Sequence, residues 1–146
     1  MSTTCTDSLC EQFREAGANL SDFVQQFKDW KASDEYGSYL FGKDGAYGLP
    51  VPSASSGHLK HVHLVPVLDE SALAAWDRDW GRKTRKVSDR ALVYAEDSAG
   101  NFLLLFIFDE PEAHEIARMK TPEHKLLMKQ LAAVAAEWAF SGKVLA

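Results

Sequence analysis

Residues Arg90 to Phe108 read RALVYAEDSAGNFLLLFIF, and the fold follows from this stretch. Two β-rich runs, Arg90–Glu96 and Asn101–Phe108, flank Asp97, Ser98, Ala99 and Gly100, so the stretch predicts a β-hairpin. The second run is apolar at every position from 102 to 108, without the alternation of a strand that has one wet face. It predicts a central strand buried on both sides, with helices covering the sheet.

Working upstream, His58 to Val65 alternates, with Leu59, His61, His63 and Val65 on one face and Lys60, Val62 and Leu64 on the other. Pro66 ends it. Before this strand, Gly37 to Gly57 collects five glycines with Pro50 and Pro52, which predicts a long loop with room for a short strand near 46–49. Phe41, Gly42, Lys43, Asp44, Tyr47 and Leu49 are its candidate anchors. Asp7–Ala16 carries Leu9 and Phe13 ahead of Gly17 and predicts a first helix; Leu20–Lys31 carries Phe23, Val24, Phe27 and Trp30 behind Ser21 as cap and predicts a second. A short helix with Leu73, Trp76 and Trp80 follows Asp69 or Ser71. After the hairpin comes a helical turn in 110–118, opened by Pro111. Thr121 and Pro122 then start a last helix that buries Leu127, Leu131, Val134 and Trp138 and stops at Gly142. The expected fold is α+β in one domain over 1–146: a small antiparallel sheet of the 90–108 hairpin and the 58–65 strand, packed by N- and C-terminal helices. Residues 1–19 are read as a helix at the periphery.

The totals narrow the function. A chain of 146 residues suits one core. No apolar run approaches the ~20 residues of a membrane span, and the first ten residues lack a basic then apolar signal pattern, so no membrane partner and a cytoplasmic location are expected. Cys5 and Cys10 lack the further ligands a zinc site needs and read as reduced thiols. The net charge of −5 argues against nucleic acid as partner. Against that, Arg78, Arg82, Lys83, Arg85, Lys86 and Arg90 crowd into thirteen positions, with Asp77, Asp79 and Asp89 beside them. That stretch suits either a phosphate chain or plain solvent.

His61 and His63, two apart on a strand, project on one side about 7 Å from each other. Such a pair can bind metal, work as acid and base, or simply occupy a sheet face. For a metal only distant His114 and His124 and carboxylates of unremarkable spacing are available, so no metal and no cofactor are expected. His114 emerges just after the central strand among Glu110, Glu112 and Glu115, acidic neighbours that suit a general acid; a solvated histidine beside acids is the plainer reading. No glycine-rich phosphate loop or G-x-S-x-G elbow is present. What remains is acid-base chemistry without a protein nucleophile. RNA supplies its own nucleophile, the 2′-hydroxyl, so cutting it needs only a base, an acid and cations.

Phe41-Gly42-Lys43-Asp44 with Tyr47, then His61-Val62-His63-Leu64, Ser88-Asp89, Leu92-Val93-Tyr94, the strand Leu103–Phe108 and Pro111-Glu112-Ala113-His114-Glu115-Ile116-Ala117-Arg118 resemble, in this order, the YafO family of ribosome-dependent mRNA interferase toxins. The resemblance covers roughly residues 20 to 140. It implies a toxin of a type II toxin-antitoxin system that cleaves mRNA on the ribosome and is silenced by a cognate antitoxin protein. By analogy, it also implies a RelE-like architecture. Under this reading His61, His63 and His114 are the candidate base and acid. Arg85, Lys86 and Arg90 would hold the scissile phosphate. Tyr94 would stack on a base, unless it is a core tyrosine, and Asp44 and Asp89 would orient a histidine or arginine, unless they cap turns. Two other readings stay open: a noncatalytic protein that inhibits translation by binding the ribosome or another partner, and a metal hydrolase built on His61 and His63.

Overall fold

A computed structural model describes residues 2–33, 37–47 and 59–145. The hairpin forms as expected, with β4 (Ala91–Glu96) antiparallel to β5 (Phe102–Phe108) from Ala91 opposite Phe108 to Glu96 opposite Phe102, and a register shift between Val93 and Tyr94. Asp97 closes the turn, its carboxylate accepting from the backbone N–H groups of Ala99 and Asn101. β3 (Leu59–Leu64) lies antiparallel on β4, and β2 (Phe41–Ala46) antiparallel on β3. The strand expected near 46–49 thus falls earlier, within the loop-like 37–57 stretch; Leu49 and His58 lie outside the described residues.

The sheet is not purely antiparallel. A three-residue strand, β1 (Thr3–Cys5), pairs in parallel with β5, giving the order β1-β5-β4-β3-β2. Three residues are too few for alternation to show in a sequence. The same segment corrects the peripheral reading of residues 1–19. Thr6 caps α1 (Asp7–Ala16) and donates its hydroxyl to the Leu105 carbonyl at 2.6 Å, while Leu9 is fully buried and Phe13 nearly so.

Two cores flank the sheet. On one face α1 and α2 (Leu20–Ala32, capped by Asn19) set Leu9, Phe13, Phe27 and Trp30 against Phe41, Val62, Leu92 and Leu104. On the other, α4 (Ala113–Ala117) and α5 (Pro122–Ser141) set Ile116, Met128, Leu131 and Trp138 against Leu59, Val93, Leu103 and Leu105. β5 is thereby sandwiched, as its unbroken apolarity requires. α3 (Glu70–Arg82, capped by Asp69) packs Trp76 over Gly42, where a Cβ would meet the Lys86 carbonyl oxygen at 2.2 Å. No helix among the described residues is long and apolar enough to cross a membrane.

Candidate functional site

Strand alternation puts His61 and His63 on the α4/α5 face of the sheet, and the short α4 helix carries His114 to the same place. The three rings form a row, His61 to His63 at 5.8 Å and His63 to His114 at 5.6 Å between centroids. They line a cavity of about 270 Å³ together with Tyr47, Ser88 and Arg118. Ala46, Ala91, Ala113 and Ala117 complete the lining, and their small side chains leave the space that larger residues would fill.

Each ring is held differently. Tyr47 stacks on His61 at 4.3 Å and 25°, and the buried His61 Nδ1 has no hydrogen-bond partner among the described residues. The Nδ1 of His63 sits 2.9 Å from the Ser88 amide nitrogen and 2.8 Å from the Ser88 carbonyl oxygen. One tautomer accepts from the former and the other donates to the latter, so Nε2 can be presented to the cavity with or without its proton. Burial lowers the affinity of both rings for a proton. His63 falls to about 4, helped by the charges of His61, His114 and Lys43; His61 moves the same way, with Asp44 opposing. Both are neutral near pH 7. His114 is 54% exposed on its side chain, and one Asp89 oxygen accepts from both its backbone N–H at 2.7 Å and its Nδ1 at 2.9 Å. Asp89 therefore fixes the orientation of the ring and leaves Nε2 facing outward.

Other expected site residues lie elsewhere. Lys86 is 1% exposed, points away into the α3 packing, donates to the Ser38 and Tyr39 carbonyls and lies 4.5 Å from the Trp80 ring, so it cannot meet a phosphate. Arg90 projects on the opposite face of the sheet, bound to Asp109 at 3.0 Å and to the Val65 carbonyl. Tyr94 is fully buried on that face too, edge-on to Phe27, its hydroxyl donating to Asp44 at 2.6 Å; it is a core tyrosine and cannot stack on a base. Asp44 holds that hydroxyl and Lys31, at 3.2 Å, rather than a histidine or an arginine. Arg85 is exposed and does not line the cavity. Glu110, expected beside His114, is buried and accepts from the Val67 and Leu68 amides.

Among the described residues, Arg118 is the cation that lines the cavity, and Lys43 lies outside the lining with its charge felt by two of the rings. Arg118 lines the cavity from the end of α4, four residues after His114 and so one helical turn along. Lys43 acts electrostatically on both His61 and His63. The spacing His114–Arg118 was a usable signal. Lys43 belongs to the Phe41–Asp44 block of the family resemblance, but its glycine-rich strand carries no local signal that would set it near the histidines. No group of three or more histidine, cysteine or acidic side chains among the described residues is arranged to hold a metal ion.

No curated protein and no solved structure matches the chain, so a RelE-like architecture rests on analogy alone. A family model described as toxin YafO of the type II toxin-antitoxin system matches residues 28–140, which takes in every residue lining the histidine cavity. The chain belongs to the YafO family of type II toxin-antitoxin toxins.

Proposed function

We propose that this toxin is an endoribonuclease that cleaves mRNA on the ribosome, in the cytoplasm, by metal-independent acid-base chemistry. The observation that supports this most is the convergence of three histidines from two separate stretches of chain, with Arg118, around one cavity. In the proposed reaction the RNA 2′-oxygen attacks the adjacent phosphorus while a neutral imidazole, His63 with His61 beside it, takes the hydroxyl proton. The bond from phosphorus to the 5′-oxygen breaks as protonated His114, supported by Asp89, donates to that oxygen. The products are a 2′,3′-cyclic phosphate and a 5′-hydroxyl.

His63 is a weak base as burial and its charged neighbours hold it. An arriving phosphate places negative charge beside it and favours the protonated ring, so base strength rises as the substrate binds. Arg118 and Lys43 are the cations available for the charge that builds on the phosphorus oxygens. A cavity of about 270 Å³ lies just under the ~300 Å³ at which ligand pockets begin, a size for a single phosphate with its sugar rather than a folded RNA. With a net charge of −5 the protein attracts free RNA poorly, which suits a message positioned by the ribosome.

Primer extension on messages from induced cells is the deciding experiment. New 5′ ends with the wild type and none with His114→Ala are the expected results. Arrested translation with intact messages would transfer the conclusion to a noncatalytic inhibitor.

A further inference from the structure

The cognate antitoxin that family membership supplies must cover some surface of this chain, and α5 presents one that the fold leaves bare. Its inner side is spent on the core through Met128, Leu131 and Trp138. On its outer side Leu126 is 58% exposed and Phe140 is 91% exposed, with exposed Ala133 midway between them. These three positions are spaced by seven residues, so they form one stripe along the helix about 21 Å long. One exposed apolar side chain would be ordinary, but Leu126, Ala133 and Phe140 fall on a single side of the helix, so the exposure is directional.

The charge around the stripe indicates what kind of partner. Lys120, Lys125 and Lys129 surround Leu126 in a groove of about 420 Å³ that begins at Met119. Lys120 pairs with Glu115 at 3.7 Å, whereas Lys125 and Lys129 make no ion pair among the described residues. Lys125 and Lys129 stand beside Leu126 and Glu137 stands one turn from Phe140, so it is the groove end of the stripe that is cationic and complementary to an acidic amphipathic helix. Nucleic acid would use the lysines but not Leu126 and Phe140. The groove starts one residue beyond Arg118, so a partner seated there adjoins the histidine cavity.

We infer that the outer face of α5, from the Lys120–Lys129 groove to Phe140, is the docking surface for an acidic amphipathic helix of the antitoxin. The inference rests on family membership and not on the nuclease mechanism. The probe is the antitoxin defined by function, the co-expressed protein that restores growth. Two toxin variants, Lys125→Glu with Lys129→Glu, and Leu126→Glu with Phe140→Asp, should arrest growth as the wild type does, yet escape rescue. Their Kd for purified antitoxin should rise at least 30-fold, and the lysine pair's effect should shrink with added salt. Since all four side chains lie at the surface, melting temperatures should stay within a few degrees of wild type; should a variant fold poorly, a photo-crosslinker at position 126 or 140 of the otherwise wild-type chain should still trap the antitoxin. Affinities within threefold of wild type, or no crosslink, would overturn the inference. So would a wild-type dimer that Phe140→Asp converts to monomer without change in antitoxin affinity, or a loss confined to ribosome or RNA binding. Primer extension is not the readout, so a toxin that proved noncatalytic would leave this result standing.

Discussion

Lowering the pH should unfold this protein in a way that depends on His63. The ring sits at about 4 in the folded chain against 6.5 in the absence of its surroundings, because burial and neighbouring positive charge disfavour protonation. Between those two values the unfolded chain binds a proton that the folded chain refuses, so stability rises with pH across the window and is lost as pH falls from about 6.5 towards 4. The full span is worth about 3 kcal/mol, at ~1.4 kcal/mol for each tenfold change in proton affinity, and roughly 2 kcal/mol of it is gone by pH 5. His61 moves in the same direction, and its charge is one of the causes that hold His63 down. The test compares urea unfolding of wild type and His63→Gln at pH 7, 6, 5 and 4.5. The variant loses the Ser88 contacts and should be less stable at pH 7, but its stability should fall less steeply, so that the difference narrows by about 2 kcal/mol at pH 5. Parallel curves for the two proteins would refute the assignment of a buried, neutral His63.

Asp89→Asn should remove the charge that orients His114 and reduce growth arrest and message cleavage at least tenfold, with a melting temperature close to wild type; unchanged cleavage would show that His114 works without it. Tyr94→Phe should cost about 1–3 kcal/mol in urea unfolding by leaving Asp44 short of a buried donor, while the folded fraction cleaves as before, because the ring never meets RNA. Gly42→Ala forces a methyl group against the Lys86 carbonyl and the Trp76 ring and should lower stability by about 1–3 kcal/mol, seen as a drop of several degrees in Tm. Arg118→Gln should weaken cleavage much more than Arg90→Gln, a contrast that primer extension in induced cells reads directly.

Much of the architecture was written locally. The FLLLFIF run, the Asp97–Gly100 turn, the Thr121–Pro122 helix start and the Gly17 and Gly142 helix stops each carry their own short-range signal, and the structure repeats them to within a residue or two. The alternation of His58 to Val65 likewise placed both middle histidines on one face. What failed was long range. β1 is too short to announce itself and exists because β5, 99 residues further on, offers it an edge. β2 is hidden by two glycines within six residues, Gly42 being required by contact with Lys86 and Trp76 rather than by a turn. The basic run 78–90 looked like a single patch because charge was counted along the chain; the left-handed turn at Lys83 and the strand beyond it send Lys86 inward and Arg90 to the far side of the sheet. Tyr94 falls one step out of phase with Val93, and that single step sends it to the α1/α2 core, away from the face that bears the histidines.

The three-residue strand at the N-terminus has a consequence for handling the protein. β5 is the most apolar strand in the sheet, and without β1 its outer backbone groups would stand open, a ready template for another copy to pair with. Thr3–Cys5 occupies that margin, and Ser2 locks it to the hairpin turn through Asn101. Trimming a handful of leading residues, or forcing a bulky tag against Ser2, would therefore trade a well-behaved protein for a sticky one, although no part of the histidine cavity had been touched.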